Sequence, residues 1–455
     1  MASSEEQVLL RAVLDAPRED APRLAYADGC ARWGDSDRAE FIRVQCELGR
    51  MNWGEPRGRP LYERMQALLE AHFDEWAGAL QPVVAPAGFW RGFIESAHGS
   101  PQALLSHADT LNERTPLERL RLEDYPETVD DDFRQLVAHP LIERVRDVRF
   151  AETAMGAEGV RLLLSSPRLR RLETLHLGDE ECTPAVARVV ADLLPPSVKS
   201  LAFLGFEAAT FGDGAAKVLA ESPRLGGLET LYLYNCRIGP EGARALGRSE
   251  HLVRLENLYL GLGQPTGNEI QAEGARALAS AVFLSALVEL DLDFNSISDE
   301  GLNALVDARR SQKLRYLHLR GNELTDASVR RLCESTMMAT LEMLDLRSNR
   351  LGPASAEALA RTNPPRLTTL WLSANALSDE GVRALARSPW MAQLRELNLD
   401  GTGMSDKGAE ALLRSPYLDS VRKIICLNNR LSGTMEQRLS EKFGSRLDRS
   451  RLSPM

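Results

Sequence analysis

Residues 287–297 read LVELDLDFNSI. They fit the template L-x-x-L-x-L-x-x-N-x-L, in which the fourth and sixth positions are apolar and the ninth is Asn. Alternating apolar residues predict a short strand with one buried face, and the Asn predicts a turn after it. The template returns five more times, at 314–324, 341–351, 367–377, 394–404 and 421–431. A strand followed by a turn, repeated along the chain, therefore decides the fold.

Weaker copies of the template precede these units. They begin at Leu117, Val145, Leu172, Val198, Leu228 and Leu255. Successive starts of the twelve units lie 26 to 32 residues apart, and most lie 27 apart. So steady a spacing predicts an array of structural repeats.

A helix is predicted between successive strands. Ser298 and Ser378 each precede two acidic residues, and Gly239-Pro240 and Gly352-Pro353 place Gly at a cap and Pro at the first helical position. Strands stack at ~4.8 Å whereas helices need ~10 Å, so the array must curve with its strands inside. The prediction is an α/β horseshoe solenoid of about twelve strand–helix units, with a parallel sheet on the concave side and helices on the convex side.

The template, the period and the helix in each unit resemble leucine-rich repeats of the ribonuclease-inhibitor type. The resemblance covers 117–431. Cys236 stands at the Asn position of its unit and fits, because that family uses Asn or Cys there, whereas Thr153, Glu180 and Phe206 depart from the pattern. The resemblance implies a non-enzymatic protein that binds a protein partner, as an inhibitor or a regulatory subunit.

Residues 1–50 are predicted to form a small helical domain, with one helix near the N-terminus and others over 22–33 and 37–48. The segments LLRAVLDAPREDAPRLAYAD (9–28) and GDSDRAEFIRVQCEL (34–48) resemble the bacterial repeat-companion domain. Where that family continues with Trp-Leu-Glu-Glu, this chain has Gly29-Cys30-Ala31-Arg32. The resemblance implies a bacterial protein and does not assign a chemical role to the domain.

Residues 51–116 are predicted to hold an exposed loop, a helix over 61–80 and a degenerate first repeat. In that repeat, 89–96 is expected to form a strand and 101–114 a helix. The repeat would cover the edge strand of the array at 117–431, since an open edge invites pairing with other chains. Residues 432–455 are expected to cap the other end.

Composition excludes several classes of function. The chain has 455 residues and a net charge of −10, with 44% hydrophobic and 26% charged residues. An acidic chain disfavours binding to nucleic acid, and no stretch approaches the ~20 apolar residues of a membrane span. With no secretory signal pattern at its start and six scattered cysteines, a cytoplasmic protein with reduced thiols is expected. We also expect it to be monomeric by itself.

Catalytic signatures are missing from the sequence. It contains no HExxH, GxSxG or GxxxxGK[ST] motif, and its histidines and cysteines lack the spacing of metal ligands. The segment Gly401–Gly408 loosely resembles a phosphate-binding loop but falls on the turn of a repeat. The sequence therefore predicts no enzymatic activity, no catalytic residue, no cofactor and no metal.

Candidate binding residues stand at strand positions that face away from the core. Aromatic residues at these positions are not explained by core packing, and Tyr, Trp and Arg are the residues that dominate protein interfaces. The predicted partner-binding residues are Tyr232, Tyr234, Tyr259, Asp291, Asp293, Tyr316, His318, Arg320, Asp345, Arg347, Trp371 and Asp400. The alternative is that the tyrosines only stack across strands and stabilise the sheet. An insertion in the repeat that begins at Leu255, at 261–268, points to the same region.

Two other functions remain open. In a bacterial defence or signalling cassette, the chain would sense an effector protease, restrain it or be cut by it. Arg57 and Arg59, in the predicted exposed loop 50–59, are then the candidate cleavage site. The Ran GTPase-activating protein uses similar repeats, which suggests a GTPase-activating-like regulator as a third possibility.

Overall fold

The computed structural model describes residues 4–51, 57–123, 129–151, 155–178, 181–205, 209–261, 268–308 and 311–448. It divides into two compact units, residues 1–181 and residues 182–455. The predicted turn positions Thr153, Glu180 and Phe206 lie outside the described residues, as does most of the predicted insertion. Among the described helices, none has the length and apolar character needed to cross a lipid bilayer.

The first unit begins with four helices. They are α1 (Ser4–Asp15), α2 (Asp20–Trp33), α3 (Ser36–Arg50) and α4 (Gly58–Ala77). The apolar faces of α1, α2 and α3 meet in a core that includes Val13, Ala27, Ile42 and Cys46. The helices predicted near the N-terminus and over 22–33 and 37–48 are present, and α4 begins three residues before the predicted helix at 61.

A β-hairpin follows these helices. It consists of β1 (Phe89–Trp90) and β2 (Phe93–Ile94), which pair antiparallel. The prediction of a single strand over 89–96 is wrong, because the chain reverses at Arg91 and Gly92, which have φ angles of 46° and 86°. A Cβ on Gly92 would lie 2.4 Å from Ile42, so only glycine fits the turn at this approach to α3.

The parallel strands of the first unit start after this hairpin. They are β3 (Ser96–Gly99), β4 (Arg119–Leu122), β5 (Asp147–Phe150) and β6 (Thr174–Leu177), paired in that order. Between them lie α5 (Pro101–Ser106), α6 (Ala108–Arg114), α7 (Asp131–Ala138) and α8 (Gly156–Leu164). A strand and two helices thus precede β4, but the strand is β3, and the helix expected over 101–114 is divided into α5 and α6.

The described residues of the second unit alternate helices with nine parallel strands. The strands are β7 (Ser200–Leu204), β8 (Thr230–Tyr234), β9 (Asn257–Tyr259), β10 (Glu289–Asp291), β11 (Tyr316–His318), β12 (Met343–Asp345), β13 (Thr369–Trp371), β14 (Glu396–Asn398) and β15 (Lys423–Ile425). The helices are α9 (Pro184–Leu193), α10 (Gly212–Ala220), α11 (Pro240–Gly247), α12 (Gln271–Ala279), α13 (Ser298–Asp307), α14 (Asp326–Cys333), α15 (Pro353–Arg361), α16 (Ser378–Ala386), α17 (Asp406–Arg414) and α18 (Gly433–Phe443). Neighbouring strands follow chain order. This confirms the predicted α/β solenoid.

Short 3-10 helices complete the connections. They lie at Gly78–Val83, Pro86–Gly88, Pro140–Arg144, Pro223–Gly227, Val282–Ser285, Thr336–Ala339, Pro389–Gln393 and Gly444–Arg446. At the C-terminal end, the backbone N–H of Asp448 donates to the carbonyl of Ile424 in β15, at 2.9 Å. The chain after α18 thus pairs with the last strand.

The asparagines of the template connect each repeat to the one before it. Asn322 is fully buried, and its Oδ1 accepts the backbone N–H groups of Asn295 and Ile297 at 3.1 and 3.2 Å. Its Nδ2 donates to the carbonyls of Leu292 and Arg320 at 2.8 and 3.1 Å. Asn349 and its counterparts repeat this pattern, so the backbone groups freed by each turn are satisfied.

Helix starts are held by an aspartate of the preceding repeat. The Oδ1 of Asp213 in α10 accepts the N–H groups of Gly239 and Gly242 at the start of α11, at 2.7 and 2.8 Å. Asp379 in α16 does the same for Ser405 and Gly408 at α17. Related bonds run from Asp299, Asp326 and Asp406. These carboxylates cap helices that their own repeat does not contain.

Candidate protein-interaction surface

The solvent side of strands β7–β15, here named the open sheet face, carries the predicted binding residues. In β8, Leu231 and Leu233 are fully buried, whereas Thr230, Tyr232 and Tyr234 are half-buried. Successive side chains of a strand point to opposite sides, so the tyrosines stand on the side away from the leucine core.

Three tyrosines form one cluster on the open sheet face. Tyr232 and Tyr259 are opposite each other in the pairing of β8 and β9, and their rings stack with centroids 4.4 Å apart and planes 7° from parallel. The Tyr234 ring lies 5.7 Å from Tyr232 and 5.9 Å from Tyr259. Burial raises the pKa of all three phenols, so they remain neutral hydrogen-bond donors. The cross-strand stacking of the alternative interpretation is therefore present, and the rings stay partly exposed.

Two aspartates adjoin the tyrosine cluster. Asp291 is opposite Tyr259 in the sheet and only 7% exposed, and its Oδ1 accepts the backbone N–H of Asp293 at 2.9 Å. The Oδ1 of Asp293 accepts the backbone N–H of Arg320 at 2.7 Å. Burial raises the pKa of Asp291, and burial together with the charges of Asp291 and Asp345 raises the pKa of Asp293 to about 7. Both carboxylates are thus fixed in orientation where a negative charge is costly.

Glu289 joins the tyrosines to His318. Its Oε1 lies 3.2 Å from Nε2 of His318. Burial and the nearby charge of Glu289 both raise the pKa of Tyr259. Burial opposes protonation of His318, but Glu289 and the two aspartates outweigh burial and raise the pKa of the imidazole. The middle of the open sheet face is therefore one connected set of tyrosines, carboxylates and a histidine.

Arg347 is held between an aspartate and a tryptophan. Asp345 is fully buried, and both of its oxygens accept from the Arg347 guanidinium at 2.5 to 2.9 Å. The guanidinium carbon lies 4.4 Å from the ring centroid of Trp371, within cation–π distance. Arg320 lies in the same way over Phe294, at 4.9 Å. Both arginines are therefore seated on aromatic rings of the chain itself.

Two further predicted residues bond to groups outside this set, although Tyr316 is opposite Glu289 in the sheet. The Tyr316 hydroxyl is 3.3 Å from Oε2 of Glu342. Asp400 is 7% exposed and accepts the backbone N–H and the side-chain Nδ2 of Asn428 at 2.7 and 2.6 Å. On the open sheet face, Asp291, Asp345 and Asp400 are thus buried, whereas the tyrosines and Trp371 remain partly exposed.

Comparison with known proteins identifies the repeats. Six segments match the family model described as Leucine Rich repeat: 228–247, 285–306, 310–333, 338–360, 365–386 and 393–413. The chain contains leucine-rich repeats. The matched segments all lie in the second unit, which also carries the open sheet face. No curated protein matched the sequence of the chain.

Solved structures with a similar fold share little sequence with the chain. The Rad7–Elc1 complex of yeast aligns at 14% identity and a TM-score of 0.42, covering 100% of this chain and 96% of that one. The internalin inlF of Listeria monocytogenes aligns at 16% and 0.42, covering 72% and 85%. The leucine-rich repeat protein LIC12759 of Leptospira interrogans aligns at 17% and 0.36, covering 73% and 90%. At these scores, none of the three likenesses indicates a partner or a function.

The leucine-rich repeat that contains the predicted insertion has its asparagine at Asn268. Its Oδ1 accepts the N–H of Ile238, and its Nδ2 donates to the carbonyls of Leu233 and Leu260 at 2.7 and 2.8 Å. The prediction that Asn268 belongs to the insertion at 261–268 is wrong, because Asn268 makes the hydrogen bonds of the template asparagine. The sequence signal was present, since Asn268 is followed two residues later by Ile270, as the template requires.

Two residues of the leucine-rich repeats contribute to the face without having been predicted. Phe294 supports Arg320, and Asn428 occupies both oxygens of Asp400. Both stand at the eighth template position, beyond the alternating strand. No strand periodicity signals a role there.

The predicted cleavage residues lie at the start of α4 in the first unit. Arg57 directly precedes the helix, whereas Arg59 is in its first turn and pairs with Glu63 at 2.9 Å. The prediction that Arg59 lies in a loop is wrong. Pro60 does not stop the helix, because first-turn N–H groups have no partner within a helix. Residues 52–56 of the predicted loop lie outside the described residues.

The first unit also holds a charged cleft of about 460 Å³, which the sequence did not predict. Arg18, between α1 and α2, lies 3.4 Å from Glu118 and 2.7 Å from Glu173. Arg146 pairs with the same two glutamates. These bonds fasten the N-terminal helices to the strands β4–β6 of the unit.

Proposed function

We propose that the protein is a non-enzymatic scaffold that binds a protein partner on the open sheet face. The observation that carries this proposal is the stacked pair Tyr232–Tyr259, joined by Tyr234 and left partly exposed. Large aromatic side chains held rigid at a surface lose little entropy on binding and dominate interface energetics. Leucine-rich repeats generally mediate protein–protein interaction, which agrees with this assignment.

The arrangement around the tyrosines suits specific recognition. Asp291 and Asp293 are oriented by backbone N–H groups, and Arg347 is held by Asp345 and Trp371. Charges fixed before binding favour one partner by complementarity and reject others. The finer assignments, a ribonuclease-inhibitor type of repeat and a bacterial repeat-companion domain at 1–50, are part of this proposal. So are an inhibitory or regulatory role, a cytoplasmic location and a monomeric free state.

Affinity capture from the native host tests the proposal. The wild-type chain is compared with the triple variant Tyr232→Ala, Tyr259→Ala and Trp371→Ala, and bound proteins are identified by mass spectrometry. Tyr62→Ala is the matched control, because Tyr62 is 54% exposed and lies in α4. We expect one partner to be lost in the triple variant and kept in the control.

Thermal unfolding of the same variants separates binding from stability. If the tyrosines only stabilise the sheet, the triple variant will melt at a lower temperature and capture the same proteins as the wild type. Equal capture by all three proteins would contradict the proposal. Loss of the partner without unfolding supports it.

A further inference from the structure

The charges on the open sheet face do not balance at its centre. Arg347 already forms an ion pair with Asp345, and both carboxylate oxygens accept hydrogen bonds from its guanidinium. Glu289, Asp291 and Asp293 remain, with His318 beside them. Within the described part of the chain, no carboxylate lies within ion-pair distance of Arg320, whose guanidinium lies over the ring of Phe294. The positive charge near these three carboxylates is therefore too small to neutralise all of them.

The tyrosine cluster borders these carboxylates directly. Tyr259 is opposite Asp291 in the sheet, and burial and the nearby charge of Glu289 raise the pKa of its phenol. Elsewhere on the same face, Trp371 has an arginine over its ring. No cation of the described residues lies over the rings of Tyr234 or Tyr259. Aromatic rings beside carboxylates form a common binding site for a cation, because the ring faces and the carboxylates both carry negative potential.

We propose that this tyrosine–carboxylate patch, formed by Tyr232, Tyr234, Tyr259, Glu289, Asp291 and Asp293, binds a lysine or arginine side chain of the protein partner. The inference rests on the proposed function and names the chemistry of the partner segment as basic. Charge complementarity favours a basic segment over the alternatives. An acidic segment would be repelled by the three carboxylates, and an apolar segment would bury them without a partner.

Further features of the patch fit a cationic occupant. Burial disfavours the ionised forms of Asp291 and Asp293, and a cation placed beside them would favour those forms again. Asn235 follows Tyr234 at the end of β8, is 7% exposed, and has a buried Oδ1 with no hydrogen-bond partner in the described residues. The other titratable groups that face the carboxylates are Asp345, His318, Arg320 and Arg347.

Synthetic peptides test the inference on the full chain. A fluorescein-labelled peptide of repeated Lys-Ser is compared with repeated Gln-Ser and Glu-Ser peptides by fluorescence anisotropy, at low and high salt. The variants are Glu289→Gln and Tyr234→Ala. The matched control is Glu300→Gln, since Glu300 is 73% exposed on α13, outside the patch, and the charge change is the same.

The Lys-Ser peptide is expected to bind, and binding should weaken by about fivefold in Glu289→Gln and in Tyr234→Ala. Glu300→Gln should stay within about twofold of the wild type. Three results would each overturn the inference: equal weakening by both glutamine variants, preference for Glu-Ser, or no binding of Lys-Ser. If the host partner is captured as proposed but the Lys-Ser peptide does not bind, the proposed function is supported. The inference that the partner segment is basic is then wrong.

Discussion

The guanidinium of Arg23 lies 2.6 Å from Oε1 of Glu95, and neither side chain is more than 6% exposed. Burial lowers the pKa of Arg23 and raises the pKa of Glu95, so removal from water disfavours both charges in spite of their contact. Arg23 also donates to the carbonyls of Pro17, Trp90 and Arg91. Arg23 therefore ties α2 to the hairpin β1–β2 and to Glu95, which directly follows the hairpin.

Arg23→Met is expected to destabilise the first unit by about 3–5 kcal/mol, because Glu95 loses its shortest ion pair and the carbonyls of Trp90 and Arg91 lose the donor Arg23. Arg91 remains 3.4 Å from Glu95 and offsets part of this loss. Glu95→Gln should cost less, since a neutral amide can still accept from Arg23. Urea unfolding followed by circular dichroism measures both variants. A larger loss for Glu95→Gln would show that the carbonyl bonds of Arg23 are unimportant.

Asp379→Ala is expected to lower the free energy of unfolding by about 1–2 kcal/mol at neutral pH, the usual cost of losing a helix cap. Burial opposes ionisation of Asp379, but bonds from Ser405 and Gly408 outweigh it and lower its pKa. A lowered carboxyl pKa stabilises the fold above the unfolded value of 3.8, and this contribution is lost as the pH falls further. The difference from wild type should thus shrink at acid pH.

Unfolding midpoints at pH 7 and pH 3 check this prediction. Asp307→Ala serves as the control, because Asp307 ends α13, is 59% exposed and pairs only across the surface with Arg331. The control should change little at either pH. A loss in Asp379→Ala that is the same at both pH values would contradict the cap.

Asp293→Asn is expected to show the opposite pH dependence. The pKa of Asp293 is about 7, so between about pH 4 and pH 7 the folded chain keeps a proton that the unfolded chain releases. Wild-type stability therefore falls as the pH rises through this window. An asparagine does not ionise, and the variant should exceed the wild type by about 1–2 kcal/mol at pH 8 and by much less at pH 5. The free energies of unfolding of wild type and variant, measured at pH 5 and pH 8, test this prediction. A stability difference between the two proteins that is the same at both pH values would contradict it.

Asn322→Ala is expected to destabilise the second unit by about 2–4 kcal/mol, because the N–H groups of Asn295 and Ile297 and the carbonyl of Leu292 lose their partner, whereas the Arg320 carbonyl keeps the N–H of Phe294. Asn322→Cys should cost less. At the equivalent position, the Cys236 thiol lies 3.4 Å from the carbonyl of Phe203 and 3.3 Å from that of Tyr234. Hydrogen exchange of the Asn295 and Ile297 amides should accelerate most in the alanine variant. Equal behaviour of the two variants would contradict this role for the thiol.

Much of the solenoid follows from the sequence because its signal is local and repeated. Leu290 and Leu292 stand two residues apart, which suffices to fix the buried side of β10 and its neighbours. The hairpin at 89–94 gave no such signal. Its strands have two residues each, and the turn depends on Gly92 packing against Ile42 from a distant helix.

The candidate site was predictable in position but not in detail. The alternation of buried and exposed residues places Asp345 on the open sheet face. The side chain of Arg347 nevertheless pairs with Asp345, and Asp345 is fully buried. The distance between two side chains on one strand depends on rotamers that no pattern records. The role of Asp379 was hidden for another reason, since the groups it caps lie 26 and 29 residues further along the chain.

The caps also give the array a direction. Asp213, Asp299, Asp326, Asp379 and Asp406 each accept bonds from a helix that comes later in the chain. On a ribosome, which makes the chain from its N-terminus, the acceptor is always present before its donors emerge. When a new helix begins to form, the aspartate that caps it has therefore already been synthesised. If the chain is truncated from its C-terminal end, each helix start that remains still has the aspartate that accepts its N–H groups.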